Sequence, residues 1–303
     1  MNKYSDIERL NRSFISDNKL AIVSITNKCN LHCIYCRPHK EDEWYDKLSK
    51  STNKSETFLS TTFNLLSNDD VIEVMLSGGE PFAEKNITQL ALHLKNCGKF
   101  ISIHTNGVHH KASDILDCLY KEKIKPNLHV SSELIAEHQI SLRHSKMPYE
   151  FIEIATKKYG FKVELKVILH SLLSTYTDKF DKFIDKWLSH GVSQIRFQPI
   201  VQTGNISNQL ILHKKDCVII HKLMELKQIA KYNNIIRNSI ESFEAILNVI
   251  NSKNNKIEKK CFMHEKIIFI DSDGNILNCA TMWGKNIKSC NNQFDFICCG
   301  FNS

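Results

Sequence analysis

Glycine and proline are scarce in this chain, which has only ten glycines and five prolines in 303 residues. This scarcity excludes collagen-like and proline-rich low-complexity architectures, and it makes any cluster of these residues informative about the backbone. Long apolar runs are also lacking, so no segment approaches the ~20 residues that a membrane span needs. Residues 1–14 are polar and contain no apolar core of a signal peptide. We therefore expect a cytoplasmic protein with no membrane partner.

A strong excess of one charge is absent as well. The chain has 40 Lys and Arg against 33 Asp and Glu, a net charge of +7. The basic residues are spread along the chain and form no dense run or aromatic-plus-basic module, so no specific nucleic-acid partner is expected. A solvated surface is the simplest interpretation of this mild excess. Attraction to an acidic peptide or a nucleotide is the alternative.

Cysteine is the residue that the chain has in excess, with eleven in 303 residues. In the reducing compartment that we expect, cysteines serve as ligands or catalysts more often than as disulfides, and an odd count fits a pure disulfide framework badly. Cys97, Cys118 and Cys217 lie in helical patterns and are predicted to be buried apolar residues.

Strand-like and helix-like patterns alternate through the first two thirds of the chain. This alternation predicts parallel strands with right-handed crossovers, hence an α/β fold whose six units fall short of a complete eight-unit barrel. The predicted strands are 20–26, 71–76, 100–104, 127–131, 162–169 and 194–199. The predicted helices between them are 86–95, 112–121, 149–159 and 179–190.

The pattern changes after residue 204. Residues 214–233 and 239–251 predict two helices, and the Lys/Asn-rich segment 252–260 leads into a cysteine-rich tail. We therefore predict three units: a core of residues 1–207, a helical connector of residues 208–255 and a tail of residues 256–303.

Three cysteines follow the first predicted strand with the spacing Cys29-x3-Cys33-x2-Cys36. Three thiolates on one loop can bind one face of a metal centre and leave a vertex open, which a catalytic centre needs and a structural zinc site avoids. Tyr35 can pack an aromatic face beside a cofactor. The alternatives are a zinc site that borrows a distant cysteine, and plain buried thiols.

A second signal follows the second strand, where Gly78-Gly79-Glu80-Pro81 concentrates the scarce residues. Two glycines allow close backbone approach to a ligand, and the proline stiffens the exit of the loop. Glu80 could accept hydrogen bonds from an ammonium group. Taken alone, the segment could also be an ordinary turn.

The cysteine spacing with its aromatic residue resembles the motif of the radical S-adenosylmethionine (SAM) superfamily. The resemblance implies that Cys29, Cys33 and Cys36 hold a [4Fe–4S] cluster whose fourth iron binds SAM. It also implies that reductive cleavage of SAM gives a 5′-deoxyadenosyl radical, which abstracts a hydrogen atom from the substrate. A flavodoxin- or ferredoxin-type protein would supply the electron. The implied fold is the partial (β/α)6 TIM-like barrel, with its site at the carboxyl ends of the strands.

Further segments match the superfamily in the expected order over about residues 18–205. The Gly78–Pro81 loop resembles the GGEP motif that binds the SAM amino group, and Thr105-Asn106-Gly107 resembles the TNG turn near SAM. After the fourth strand, Ser131 or Ser132 is a candidate contact to the SAM ribose or carboxylate, with a strand-end cap as the alternative. Glu133 stands near the position of an aspartate in many relatives. Lys166 is a weaker candidate for the same pocket.

The tail contains Cys261, Gly274 and Cys279 with the spacing Cx12Gx4C, built around a predicted β-hairpin. This resembles the opening of the SPASM/twitch extension of radical SAM enzymes. The later cysteine run of a full SPASM domain is absent, so a twitch-like tail with one auxiliary [4Fe–4S] cluster is implied. Its expected ligands are Cys261, Cys279, Cys290 and one of the pair Cys298 and Cys299. The remaining thiol of that pair is either idle or a catalytic hydrogen-atom donor. A zinc-bound tail and a metal-free tail are the alternatives.

The resemblance implies a peptide-modifying enzyme, such as a maturase, epimerase or crosslinking enzyme for ribosomal peptides. A small-molecule radical dehydrogenase or cyclase is the alternative. A zinc-binding protein without enzymatic activity is the hypothesis from a different class.

Overall fold

The computed structural model describes residues 19–36, 66–67, 70–200, 209–251, 256–260, 267–272, 274–277 and 293–295. Within these ranges the central element is an eight-stranded sheet that curls into a half-barrel, with the strand order β6-β5-β4-β3-β2-β1-β8-β9. Seven of its strands are parallel, and only β9 runs antiparallel to its neighbour. The strands are β1 Lys19–Ser24, β2 Val71–Ser77, β3 Phe100–Thr105, β4 Asn127–Ser132, β5 Lys162–Leu169, β6 Gln194–Pro199, β8 Ile267–Ile270 and β9 Ile276–Leu277. Two further strands, β7 Lys256–Lys260 and β10 Gln293–Asp295, pair with each other antiparallel.

All six strands predicted for the core form, each within two residues of its predicted bounds. They are rich in Val, Ile and Leu because they lie in a parallel sheet that is covered by crossover helices. The partial barrel of the α/β class is therefore confirmed.

The helices follow the strands as crossover connections. They are α1 Ile87–Asn96, α2 Ala112–Lys121, α3 Ala136–Arg143, α4 Tyr149–Glu153, α5 Phe180–Ser189, α6 Cys217–Gln228, α7 Ala230–Asn233 and α8 Ile240–Asn251. A π-helical turn, Ile154–Lys158, continues α4, so the predicted helix 149–159 is continuous but irregular.

Strands β7 and β10 form in segments for which no strand is predicted, and two longer elements of the core are also not predicted. The helix α3 buries His138, Gln139 and Arg143 beside Leu142, so it lacks the apolar periodicity that identifies a helix. The 3₁₀ segment Ser171–Lys179 follows β5 directly and contains only two buried residues, Ser171 and Leu173.

The two faces of the sheet differ in chemistry. In β5, Val163, Leu165 and Val167 are fully buried and belong to the same core cluster as Ile184 and Trp187 of α5. Since side chains alternate along a strand, the residues between them, such as Glu164 and Lys166, project from the opposite face. That opposite face is the interior of the half-barrel.

The predicted hairpin of the tail forms and extends the main sheet. Strand β8 pairs parallel with β1, and β9 pairs antiparallel with β8. In the connecting turn Gly274 has φ +86°, and the Asn275 N–H donates a hydrogen bond to Asp271 Oδ1 at 2.8 Å. Among the described helices, none is long and apolar enough to cross a membrane.

Candidate active site

The cysteine loop leaves the carboxyl end of β1, where the sequence places it. The Cys36 N–H donates to the Cys33 carbonyl at 2.9 Å, which closes a turn between these two cysteines. The Ile34 N–H donates to the Leu142 carbonyl at 2.9 Å, so the loop docks onto the end of α3. The Leu31 N–H donates to Cys29 Sγ at 3.4 Å. The loop is therefore held both internally and by a neighbouring helix.

The two glycines of the Gly78–Pro81 loop allow this loop to pack against the backbone that leads into Cys29. The Gly79 N–H donates to the Thr26 carbonyl, and the Glu80 N–H donates to the Lys28 carbonyl, each at 2.7 Å. A Cβ atom on Gly79 would lie 2.4 Å from the Lys28 carbonyl oxygen, and one on Gly78 would lie 2.3 Å from that of Thr26. The close approach therefore serves to fix the start of the cysteine loop.

Glu80 is fully buried and joins its own loop to the turn after β3. Its Oε1 accepts from Thr105 Oγ1 at 2.7 Å and from the Phe82 N–H at 3.1 Å, and its Oε2 accepts from the Asn106 N–H at 2.7 Å. Burial raises the pKa of the Glu80 carboxyl to about 7, although the three hydrogen-bond donors act in the opposite direction.

Asn106 connects that turn to the first cysteine. Its side-chain Nδ2 donates to Asn30 Oδ1 at 2.8 Å and lies 3.9 Å from Cys29 Sγ. Gly107 has φ +70°, and a Cβ there would lie 2.9 Å from the ring of Phe151, so the turn requires glycine. The structure thus brings together residues of all three predicted motifs: Cys29, Glu80, Thr105 and Asn106.

A buried ionic network lies on the other side of the cysteine loop. The fully buried Glu133 accepts hydrogen bonds at Oε1 from the Tyr35 hydroxyl and from Arg143 Nε, the latter at 2.8 Å. His170 Nε2 lies 3.1 Å from Glu133 Oε2. Burial on its own would raise the pKa of Glu133, but His170 and Arg143 outweigh it and hold the pKa below its usual value. The Arg143 guanidinium also lies 5.5 Å from the centroid of the Tyr35 ring.

The two serines after β4 differ in their surroundings. Ser132 is fully buried and its Oγ donates to Gln139 Oε1 at 3.0 Å, which is a structural contact. Ser131 Oγ lies 2.6 Å from His104 Nε2 on the interior face, and Ser131 is paired in register with Lys166. Burial lowers the pKa of Lys166 to about 8. Ser131 and Lys166 therefore share the barrel interior, whereas Ser132 belongs to the packing of α3.

Four further residues of this region have no role predicted from the sequence: Arg143 and the interior residues Glu164, Arg196 and Arg237. A sequence signal was present for Glu164 and Arg196, since charged residues alternate with buried apolar ones in β5 and β6. Arg143 gave no comparable signal, because its helix has no apolar period.

Within the described ranges, no group of three or more His, Cys, Asp or Glu side chains lies close enough to bind a metal ion. The donor set of the loop nevertheless fits an iron–sulfur cluster in chemistry. Cys29, Cys33 and Cys36 place three thiols on this loop, and the Leu31 N–H and the Asn106 amide both donate toward Cys29 Sγ, as donors to cluster-bound sulfur do. Burial raises the pKa of Cys29 to about 11 and also raises that of Cys33.

The other cysteines divide into two groups. Cys118 is exposed, so its predicted burial is wrong: it lies on the outer side of α2, away from the sheet. Cys97 and Cys217 are half-buried. The tail cysteines lie outside the described residues, so their predicted roles stay predictions: Cys261, Cys279, Cys290, Cys298 and Cys299.

A curled parallel sheet that gathers polar loops at the carboxyl ends of its strands defines a partial barrel of the α/β class. Residues 23–186 match the model of the Radical SAM superfamily. This match covers more than half of the chain, and the chain belongs to that superfamily.

Comparison with known proteins gives distant relatives. A GTP 3′,8-cyclase of Haemophilus influenzae is 27% identical over 193 residues, which are 61% of this chain and 54% of the cyclase. The chain thus spans about half the length of that relative.

Solved structures share the fold. Streptococcus suis SuiB bound to its precursor peptide SuiA has a TM-score of 0.67 at 15% identity, covering 96% of this chain and 71% of SuiB. The enzyme anSMEcpe with bound AdoMet has a TM-score of 0.63 at 17% identity, covering 94% of this chain and 79% of that protein.

Proposed function

We propose that this protein cleaves SAM reductively at a [4Fe–4S] cluster held by Cys29, Cys33 and Cys36. The observation that carries the proposal is the convergence of the cysteine loop, the Gly78–Pro81 loop and the turn at Asn106 at one edge of the sheet, joined by the bonds of Glu80 and Asn106. When bound, the cluster and SAM supply the one-electron chemistry that removes a hydrogen atom from a substrate.

The residues of the chain bind and orient these groups. A carboxylate has about four acceptor positions, and protein donors use three of those of Glu80, which leaves about one at Oε2 for the SAM ammonium. Ser131 and Lys166 are proposed to contact the SAM ribose or carboxylate from the barrel interior. Tyr35, locked by Glu133, would hold the face of the cysteine loop that lies beside the cofactor. A flavodoxin- or ferredoxin-type donor would deliver the electron.

We also propose that the tail, residues 256–303, binds one auxiliary [4Fe–4S] cluster and that residues 208–255 connect it to the core of residues 1–207. The proposed ligands are Cys261, Cys279, Cys290 and one of Cys298 and Cys299, with the remaining thiol as a candidate hydrogen-atom donor. The formation of the predicted hairpin, which lies between Cys261 and Cys279 in the sequence, supports this organisation.

A peptide is the substrate class that we favour. SuiB, whose structure contains a precursor peptide, shares the fold across nearly the whole chain. The second candidate is a small-molecule cyclase or dehydrogenase, which the 27% identity with a GTP 3′,8-cyclase favours. Incubation with GTP or with a candidate peptide distinguishes the two, because only the true substrate raises SAM consumption above the uncoupled rate and changes mass.

Anaerobic reconstitution with iron and sulfide tests the proposal. We expect about four iron atoms per chain from the first cluster alone and about eight with the auxiliary cluster, together with reductive cleavage of SAM. Cys29→Ala, Cys33→Ala and Cys36→Ala should each abolish cleavage. The matched control is Cys118→Ala, since Cys118 is an exposed thiol of α2. A protein that binds zinc and no iron would contradict the proposal.

A further inference from the structure

Charged side chains line the interior face of the half-barrel below the cysteine loop. In β5, Glu164 and Lys166 alternate with buried Val163, Leu165 and Val167, so both project to this face. In the neighbouring strand Arg196 is paired in register with Lys166. The two cations therefore lie side by side on adjacent strands.

Glu164 is the centre of this charged group. Its Oε1 lies 3.1 Å from Arg196 Nε and 3.4 Å from His129 Nδ1, and its Oε2 lies 3.9 Å from Arg237 Nε. Arg237 reaches the site because its segment runs beside β6, where its N–H donates to the Ile195 carbonyl at 2.8 Å. One carboxylate is thus shared by two guanidinium groups.

Among the residues that the structure describes on this face, positive charge exceeds negative charge. Lys166, Arg196 and Arg237 oppose Glu164 and a second carboxylate, Glu73, which acts electrostatically on Lys166 and Arg237 and whose Oε1 accepts from Ser102 Oγ at 2.5 Å. Among the described residues, the Lys166 ammonium forms neither a hydrogen bond nor an ion pair, although Glu164 and Arg196 both act on it electrostatically.

The neighbouring histidines add no charge to this face, because burial lowers the pKa of His104 and of His129 and favours the neutral rings. Both arginines are partly accessible: the side chain of Arg196 is 20% exposed and that of Arg237 is 25% exposed. A purely structural ion cluster would be balanced, since an uncompensated buried cation is costly.

We propose that Arg196 and Arg237 form a site for an oxyanion of the substrate, either a carboxylate or a phosphate. Guanidinium groups bind both anions with paired hydrogen bonds, and Lys166 adds a third positive charge. The inference rests on the proposed function, since it assigns the class of substrate for the same barrel. An acidic peptide and a phosphorylated small molecule share this chemistry.

Calorimetric titration of the reconstituted protein tests the site with two probes, inorganic pyrophosphate and an acetylated tetraglutamate peptide. We expect binding of at least one probe, weakened about tenfold or more by Arg196→Gln and by Arg237→Gln. Lys231→Gln is the matched control, because Lys231 is an exposed cation that pairs with Asp185 on the protein surface. Binding of pyrophosphate alone indicates a phosphorylated substrate, and binding of the peptide alone indicates a carboxylate.

Glu164→Gln should change the affinity for the probe in the opposite direction to the arginine variants. A loss of folding cannot produce tighter binding. Removing the competing carboxylate should tighten binding of the same probe by about fivefold, the effect of one charge a few ångströms away in a polar environment. The inference is overturned if the wild-type protein binds neither probe, or if binding survives in the Arg196→Gln/Arg237→Gln protein. SAM cleavage by the wild-type protein is measured in parallel and tests the proposed function separately: cleavage without anion binding overturns only the anion site.

Discussion

The Asn106 N–H donates a hydrogen bond to Glu80 Oε2 at 2.7 Å, and this bond joins the loop after β2 to the turn after β3. The same asparagine donates through its side chain to Asn30, next to Cys29. A buried carboxylate and one asparagine therefore connect three separate loops. The position of the first cysteine depends on groups that lie some 50 and 75 residues further along the chain.

Glu80→Gln tests this connection. The amide can keep two accepted hydrogen bonds, but its NH2 group must then face the Asn106 N–H, so one buried donor loses its partner. We expect a loss of about 1–3 kcal/mol in the free energy of unfolding and weaker binding of SAM. Denaturant unfolding and equilibrium binding measure the two effects. The control is Glu122→Gln at an exposed position, and equal behaviour of the two variants would refute the connecting role.

Gly79→Ala should disturb the cysteine loop directly. The added Cβ would lie 2.4 Å from the Lys28 carbonyl oxygen and 2.7 Å from that of Asn27, and both are backbone atoms that cannot move aside cheaply. We expect a loss of about 1–3 kcal/mol in stability and a lower iron content after reconstitution.

Gly98→Ala is the control for this substitution. Apart from its chain neighbours, nothing lies within 4 Å of a Cβ at Gly98, so the cost of the substitution is limited to the strain of φ +72°, about 1 kcal/mol. Its iron content should equal that of the wild-type protein. If Gly79→Ala also kept full iron content, the loop contact would not determine the cysteine site.

Local patterns in the sequence predict the sheet but not the contacts between its loops. Strands β5 and β6 have their predicted bounds because alternating apolar and polar residues determine them locally. The Cys29 and Glu80 loops could be placed at one edge because carboxyl ends of parallel strands meet there. The helix α3 could not be predicted, because it buries polar residues whose partners come from other loops. Its buried Arg143 contacts Glu133 and Tyr35, and no local pattern in the sequence predicts such contacts.

Glu133 and Arg143 should be energetically coupled. Glu133→Gln leaves the buried guanidinium without its counter-charge and should cost about 3–5 kcal/mol, and Arg143→Met should cost a similar amount. The double variant removes both charges and should be more stable than the sum of the two losses implies, by at least about 1 kcal/mol.

Denaturant unfolding of the wild-type protein, the two single variants and the double variant measures this coupling. Tyrosine fluorescence is measured for each protein with and without the Tyr35→Phe substitution. The difference is the signal of Tyr35, and a change in that signal shows that the cysteine loop has moved. Strictly additive losses would show that Glu133 and Arg143 act independently.

Lys166→Met should stabilise the protein at neutral pH, because burial disfavours the charged ammonium. The folded-state pKa of Lys166 is about 8, below the ordinary value of 10.5, and this difference corresponds to about 3 kcal/mol in the free energy of unfolding. Below pH 8 both the folded and the unfolded chain hold the proton, so the destabilisation is present in full. Between pH 8 and 10.5 the folded chain has lost this proton while the unfolded chain keeps it, so the wild-type protein gains stability as the pH rises.

The advantage of Lys166→Met over the wild-type protein should therefore shrink across that interval. Denaturant unfolding of both proteins at a series of pH values from 7 to 10.5 measures the difference, in which other titrating groups cancel. Saturating pyrophosphate should also reduce the advantage at pH 7, because an anion beside the ammonium binds the wild-type protein more tightly than the Lys166→Met protein. An advantage that stays constant with pH would show that Lys166 is not buried as a cation in the folded barrel.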